Sequence, residues 1–124
     1  MPHRRVRITA GAVHVTATLN DSATSGLVWD ALPFEAPAGI WGDEIYFTIP
    51  VEADEEQAVE VVEMGAVAYW PPGSALCLFF GSTPMSRGDE IRPASAVAVL
   101  GSVDGDPAIL KQVNPGERVV VEAM

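Results

Sequence analysis

The chain has 124 residues, 48% of them hydrophobic, which suits one domain with a real core and excludes a disordered chain. Its net charge is −10 and its basic residues form no stripe, which excludes a nucleic-acid binder held by phosphate contacts and repels anionic substrates at long range. No apolar run reaches the roughly 18 residues of a membrane span, and the basic start Met1–Gly11 lacks the apolar segment of a signal peptide, so no membrane partner is expected.

Arg4–Ala10 alternates, with Arg5, Arg7 and Thr9 on one face and Val6, Ile8 and Ala10 on the other. Gly11 breaks the run, and Ala12–Leu19 alternates again, so a tight antiparallel hairpin is expected to open the fold. His14 falls on its polar face and reads as a solvated histidine; His3 reads as part of a mobile terminus. Asn20-Asp21-Ser22 offers caps for a helix over Ser22–Ala31, stopped by Pro33. Ala23, Leu27, Val28, Trp29 and Ala31 form its apolar set, with Trp29 as a core plug. One helix ahead of a series of strands suggests a cap on an open barrel end.

Phe34–Ala36 reads as a strand broken by Pro37 and Gly39, and Trp41-Gly42-Asp43 as a turn. Glu44–Ile49 alternates and is ended by Pro50. The acidic stretch Glu52–Glu56 lacks the glycine spacing of a calcium loop and reads as a solvated turn, with no metal. Val59–Met64 is expected as a short strand. Ala66–Trp70 is apolar and aromatic; Pro71-Pro72 must stop it, and Gly73 supplies the freedom of a turn. Ala75–Phe80 is apolar without alternation, as expected when both faces are covered. Two such runs around a compact turn make a hairpin. Met85–Glu90 is a polar loop long enough to be mobile. Ser95–Val103 reads as a central strand, Ala108–Val113 as a short helix begun by Asp106 and Pro107, and Glu117–Glu122 as the last strand. Cys77 stands alone, makes no internal disulfide, and reads as a buried core residue in a protein of the reducing cytoplasm. About eight strands with regular turn signals argue for a closed barrel or a sandwich, and spacing alone leaves the two open.

The run GAVAYWPPGSALCLFFGSTPMS, followed by EIRPAS, resembles the signature of a family of small prokaryotic proteins with a cyclophilin-like β-barrel and no assigned activity. Gly42–Phe47 upstream and Val97–Gly101 downstream are similar too, so the likeness spans most of the chain. The resemblance implies a mainly β fold, a closed cyclophilin-like barrel of about eight strands with one or two short helices, in a single domain over residues 1–124. Cyclophilins are prolyl isomerases, and that chemistry needs an apolar proline pocket beside an arginine. Phe79, Phe80, Met64 or Met85 and Arg92 would supply these parts, but the cyclophilin catalytic arginine, glutamine and histidine motifs have no counterpart here.

The sequence holds no HExxH, HxxxH or CxxC spacing, no glycine-rich phosphate loop and no GxSxG elbow, so no metal and no cofactor are expected and no catalytic set is assigned. The candidate ligand-binding residues are Glu44, Tyr46, Tyr69, Trp70, Phe79, Phe80 and Arg92, with Arg87 and Glu90 beside them. Tyr69 and Trp70 are adjacent on one strand, so only one of them faces a barrel interior. Arg92 reads as the partner of Glu90 or Glu44, or as a planar fork for a ligand carbonyl or carboxylate. The leading expectation is a module that binds a small molecule or peptide in an aromatic cleft walled by Glu44, Tyr46, Trp70 and Arg92. The alternatives are a divergent prolyl isomerase, an accessory role of the kind cyclophilin-like domains play in amide-hydrolysing systems, and an interaction domain whose strands pair edge to edge into a homodimer.

Overall fold

Alternation in the first two strands sets the barrel wall. In the computed structural model, which describes residues 4–54 and 57–124, β1 (Arg4–Ala10) and β2 (Val13–Leu19) pair antiparallel from Ala10↔Val13 to Arg4↔Leu19. The turn between them is Gly11–Ala12, and Gly11 takes φ +61°, a left-handed value that glycine adopts at little cost. Val6, Ile8 and Ala10, and on β2 Val13, Val15, Ala17 and Leu19, all enter the core, while Arg5, Arg7 and His14 stay exposed. The expected terminal His3 and the Glu55–Glu56 part of the acidic turn lie outside the described residues.

The helix α1 (Ala23–Ala31) starts from Ser22, whose side chain accepts from the Ser25 amide at 3.2 Å. Its inner face differs from expectation. Thr24, Ser25 and Val28 are buried and Leu27 is 47% exposed. The reason is polar: Ser25 Oγ lies 2.7 Å from Asn20 Oδ1 and 3.2 Å from the Leu100 carbonyl, which ties this face to the wall. Trp29 packs, half-buried, against the core as expected.

The remaining strands are β3 (Phe34–Pro37), β4 (Gly39–Ile40), β5 (Glu44–Thr48), β6 (Ala66–Trp70), β7 (Ala75–Phe79), β8 (Ala98–Val103) and β9 (Arg118–Ala123). Nine strands among the described residues form one antiparallel sheet in the order β3-β9-β1-β2-β8-β6-β7-β5-β4. The two ends of that order, β3 and β4, are separated in the chain by Ala38 alone. Pro37 and Gly39, expected to break a strand, instead bend one. Its first half pairs with β9 and its second with β5, and this closes the wall into a nearly complete barrel.

The β6–β7 hairpin forms as expected, from Val67↔Leu78 to Trp70↔Ala75. Pro71–Gly73 is a 3-10 turn, but Ser74, not Gly73, takes the left-handed conformation at φ 46°. Gly73 is needed for space: a Cβ there would stand 2.8 Å from the Trp70 ring. Both faces of this hairpin are covered, which explains its lack of alternation. Val67, Tyr69, Leu76 and Leu78 face the barrel core; Ala66, Ala68, Ala75, Cys77 and Phe79 face a second, outer cluster with Val62, Ile91 and Val97. The expected Val59–Met64 strand is absent. That segment makes only isolated bridges, Val59 with Val97 and Val62 with Ile91, and serves as a cover over the outer face. The expected Ser95–Val103 strand begins at Ala98 for the same reason. The expected helix over Ala108–Val113 is a 3-10 helix, Pro107–Gln112, started as anticipated by Asp106, whose carboxylate accepts from the Ala108 amide at 2.9 Å.

Candidate functional site

The outer face of β5–β7–β6 carries the chemistry. Alternation on β5 puts Glu44 and Tyr46 on the side away from Ile45 and Phe47, which enter the barrel core. On β7, Cys77 pairs in register with Tyr46, and on β6 Trp70 ends the strand on the same outer face. Together with Trp41, Pro93, Ala94 and Val97 these residues line a cleft of about 210 Å³.

Local backbone devices hold the walls. Trp41 and Glu44 exchange backbone hydrogen bonds, Trp41 N to Glu44 O at 3.0 Å and Glu44 N to Trp41 O at 3.2 Å, across a turn in which Gly42 takes φ +60°. The Tyr46 ring lies against Gly39, where a Cβ would come within 2.4 Å of it. Trp70 lies against Gly73 and donates from Nε1 to Ser95 Oγ at 2.7 Å, which ties the indole to the segment carrying Pro93 and Ala94. Hydrogen bonds tie the loop before that segment to it: Ser86 Oγ accepts from the amides of Thr83 (2.9 Å) and Arg92 (3.1 Å), and Thr83 Oγ1 donates to the Arg92 carbonyl.

Glu44 is 6% exposed. Burial pushes its carboxyl up to about 7, opposed by a hydrogen bond with Cys77. Burial also pushes the Cys77 thiol well above its ordinary value, and the neighbouring Glu44 adds to the effect. A thiol in that state is a poor nucleophile and suits the expected core role. Chemically the cleft offers a carboxyl that changes charge near neutral pH, inside a mostly aromatic and apolar wall.

Of the residues singled out in the sequence, the cleft brings together Glu44, Tyr46 and Trp70. Tyr69 instead faces the barrel interior, where its hydroxyl donates to the Val51 carbonyl at 2.8 Å and accepts from the Ala53 amide at 3.2 Å. Phe79 packs into the outer cluster and Phe80 into the barrel core, both out of the cleft lining. Arg92 does not wall the cleft. Its guanidinium pairs with Glu90, Nε to Oε2 at 2.5 Å, and reaches Glu60 at 3.7 Å, so of its two expected partners it takes Glu90 and not Glu44. The Arg92 guanidinium holds the Glu90 carboxyl below the usual carboxylate range. Arg87, Met64 and Met85 are exposed and outside the lining. Sequence reasoning missed Trp41, Pro93, Ala94 and Val97. Trp41 had a signal: a large aromatic in a turn directly before a strand whose polar face starts with a carboxylate.

A second hollow is lined by Arg7, His14, Thr16, Asp104, Asp106 and Ile109 among others. Its best-placed acid is already engaged. Desolvation opposes the ionised form of Asp104, but hydrogen bonds from Arg5, Thr16 and Thr18 hold it below the usual carboxylate range. Among the described residues no group of three or more histidine, cysteine or acidic side chains is placed to hold a metal ion, and no helix is long and apolar enough to cross a membrane.

Among curated proteins, none matches the chain. Among solved structures, it is similar to the hypothetical protein AF2241 from Archaeoglobus fulgidus, with 44% identity over 98% of this chain and 95% of that one, at a TM-score of 0.84. The family model described as cyclophilin-like matches residues 4–122, and with that fold and that extent of match the chain belongs to the cyclophilin-like family.

Proposed function

We propose that this protein is a binding module whose site is the outer-face cleft, and that it holds a small molecule or one side chain of a peptide without transforming it. One observation carries the reading: a nearly buried carboxyl, Glu44, lies with two tryptophans and a tyrosine on a single concave surface. Ligand sites are mostly apolar hollows with a few convergent polar groups, and those for drug-sized molecules run to roughly 300–1,000 Å³. At about 210 Å³ the cleft suits a smaller head group or a single side chain.

The divergent isomerase reading is weaker. It needs an arginine free to meet the twisted peptide, and Arg92 is occupied by Glu90 and Glu60. Its apolar parts, Phe79 and Phe80, are packed away in two different clusters. The test is a thermal-shift screen of the full chain against metabolites and proline-containing peptides, with Trp70→Ala alongside. A ligand that binds the native chain alone stabilises it by RT ln(1 + L/Kd), where L is the free ligand concentration, so the shift grows with ligand concentration. The reading expects hits that Trp70→Ala loses and that show no turnover; hits that Trp70→Ala retains, or prolyl isomerisation that Arg92→Ala abolishes, would contradict it.

A further inference from the structure

The lining of the cleft narrows the ligand's chemistry. Glu44 is the one acid among the residues that line it, and no lysine, arginine or histidine is among them. The other titratable groups there are the Tyr46 phenol on its own strand and the Cys77 thiol on β7; neither brings positive charge. Trp70 on β6, Trp41 in the turn, and Pro93, Ala94 and Val97 on the covering segment carry no charge at all. The loop cation the sequence suggested as a partner for Glu44, Arg92, already has two carboxylates. A carboxylate in such a place lacks a counter-ion, and three aromatic side chains stand around it. Aromatic rings attract cations through their negative faces, tryptophan most strongly, and aromatic cages recognise quaternary ammonium groups in this way. The chain's charge of −10 also draws cations from a distance.

Resting on the binding reading above, we propose that the cleft takes an alkylammonium group, with the Glu44 carboxylate as its counter-ion and Trp41, Tyr46 and Trp70 as the wall for its methyl or methylene carbons. The same chemistry is offered by a free amine or methylated amine and by the end of a lysine or methyl-lysine side chain in a peptide. A bound cation favours the ionised form of a carboxyl that burial otherwise pushes up to about 7, so binding strengthens as pH rises through that value and releases a proton.

The experiment titrates the full chain with tetramethylammonium, choline, butylammonium, the uncharged 3,3-dimethylbutanol, and a short peptide containing trimethyl-lysine, read by tryptophan fluorescence and calorimetry. The cations are expected to bind at least about tenfold more tightly than the uncharged isostere, and Glu44→Gln to cut that preference severalfold, leaving only what the aromatic rings supply. The cation-to-isostere comparison is made on the unmodified chain, so it stands even where a variant folds poorly; Trp70→Leu, checked by its thermal melt, is a second variant and is expected to weaken the cations severalfold. A peptide tighter than choline identifies a lysine-type source, and equal affinities a free amine. An isostere that binds as well as the cations, or a folded Glu44→Gln chain that keeps the preference undiminished, overturns the cation assignment and leaves a binding module standing. No binding by any probe overturns the assignment, and a blank library screen beside it removes the binding reading as well.

Discussion

Replacing Glu44 by glutamine should change how stability depends on pH. The carboxyl titrates at about 7 in the folded protein against an ordinary value of 4.5, so the folded state holds a proton that the unfolded state has lost. The sign follows from linkage: where the folded chain binds more protons, stability falls as pH rises. The loss begins above the unfolded value, runs through the folded value, and is complete above it. At 1.36 kcal/mol per tenfold change in acidity, the whole effect is about 3 kcal/mol, of which about 2.5 kcal/mol falls between pH 5 and pH 8. For a domain of this size that is a drop in Tm on the order of 10 °C. Glutamine keeps the shape and cannot ionise. Thermal melts of both proteins at pH 5, 6, 7 and 8 isolate the Glu44 contribution as their difference, because every other titrating group is shared. The expected result is a native chain that loses ground to Glu44→Gln steadily up to pH 7 and then runs parallel to it. Curves that stay parallel from pH 5 to pH 8 would refute a buried carboxyl without a counter-ion.

Other perturbations follow from the packing. Tyr69→Phe should cost about 1–3 kcal/mol in denaturant unfolding, because it strips the Val51 carbonyl and the Ala53 amide of their partner, yet leave cleft binding unchanged. Gly101→Ala should destabilise by about 1–3 kcal/mol or more, since its Cβ would stand 2.0 Å from the Thr18 carbonyl oxygen on the neighbouring strand; a chain of unchanged Tm would contradict that close approach. Cys77, 2% exposed and with its thiol value raised, should resist a thiol reagent at pH 8 until the chain is unfolded by denaturant. Arg92→Ala should leave the affinity of any cleft ligand within about twofold, a change inside the spread expected of a partly exposed ion pair, as read by the same fluorescence titration.

Much of the barrel is written in local pattern, and the site is written in pattern only in part. The strict alternation of β1 and β2 fixes which side chains go inward, because a one-residue slip would exchange the faces. The absence of alternation over Ala75–Phe79 likewise signals two covered faces. Which of Tyr69 and Trp70 turns inward depends on a backbone partner at Val51, a long-range contact that neighbouring residues do not encode. The same holds for Val59–Met64. Its valines look like a strand, but only Val62 packs, over an already paired sheet, and the segment forms isolated bridges alone. Glu44 was legible as part of a polar strand face, but the cleft it lines is completed by Pro93, Ala94 and Val97, which arrive from much later in the chain. Arg92 was legible as an ion-pair partner, because the carboxylate that takes it, Glu90, lies only two residues away. The bend at Ala38, which joins the ends of the sheet, was hidden because proline and glycine mark bends and stops alike.

The central claim is that ligand enters the outer-face cleft. The most direct measurement is a nuclear magnetic resonance titration that follows the three indole N–H signals, assigned by single substitution, with the tightest ligand from the screen. Trp41 and Trp70 line the cleft and Trp29 packs against the barrel core on the helix. The account predicts that the Trp41 and Trp70 signals shift together along one binding curve while Trp29 stays in place. A shift confined to Trp29, or a ligand that binds and moves neither cleft indole, would contradict it.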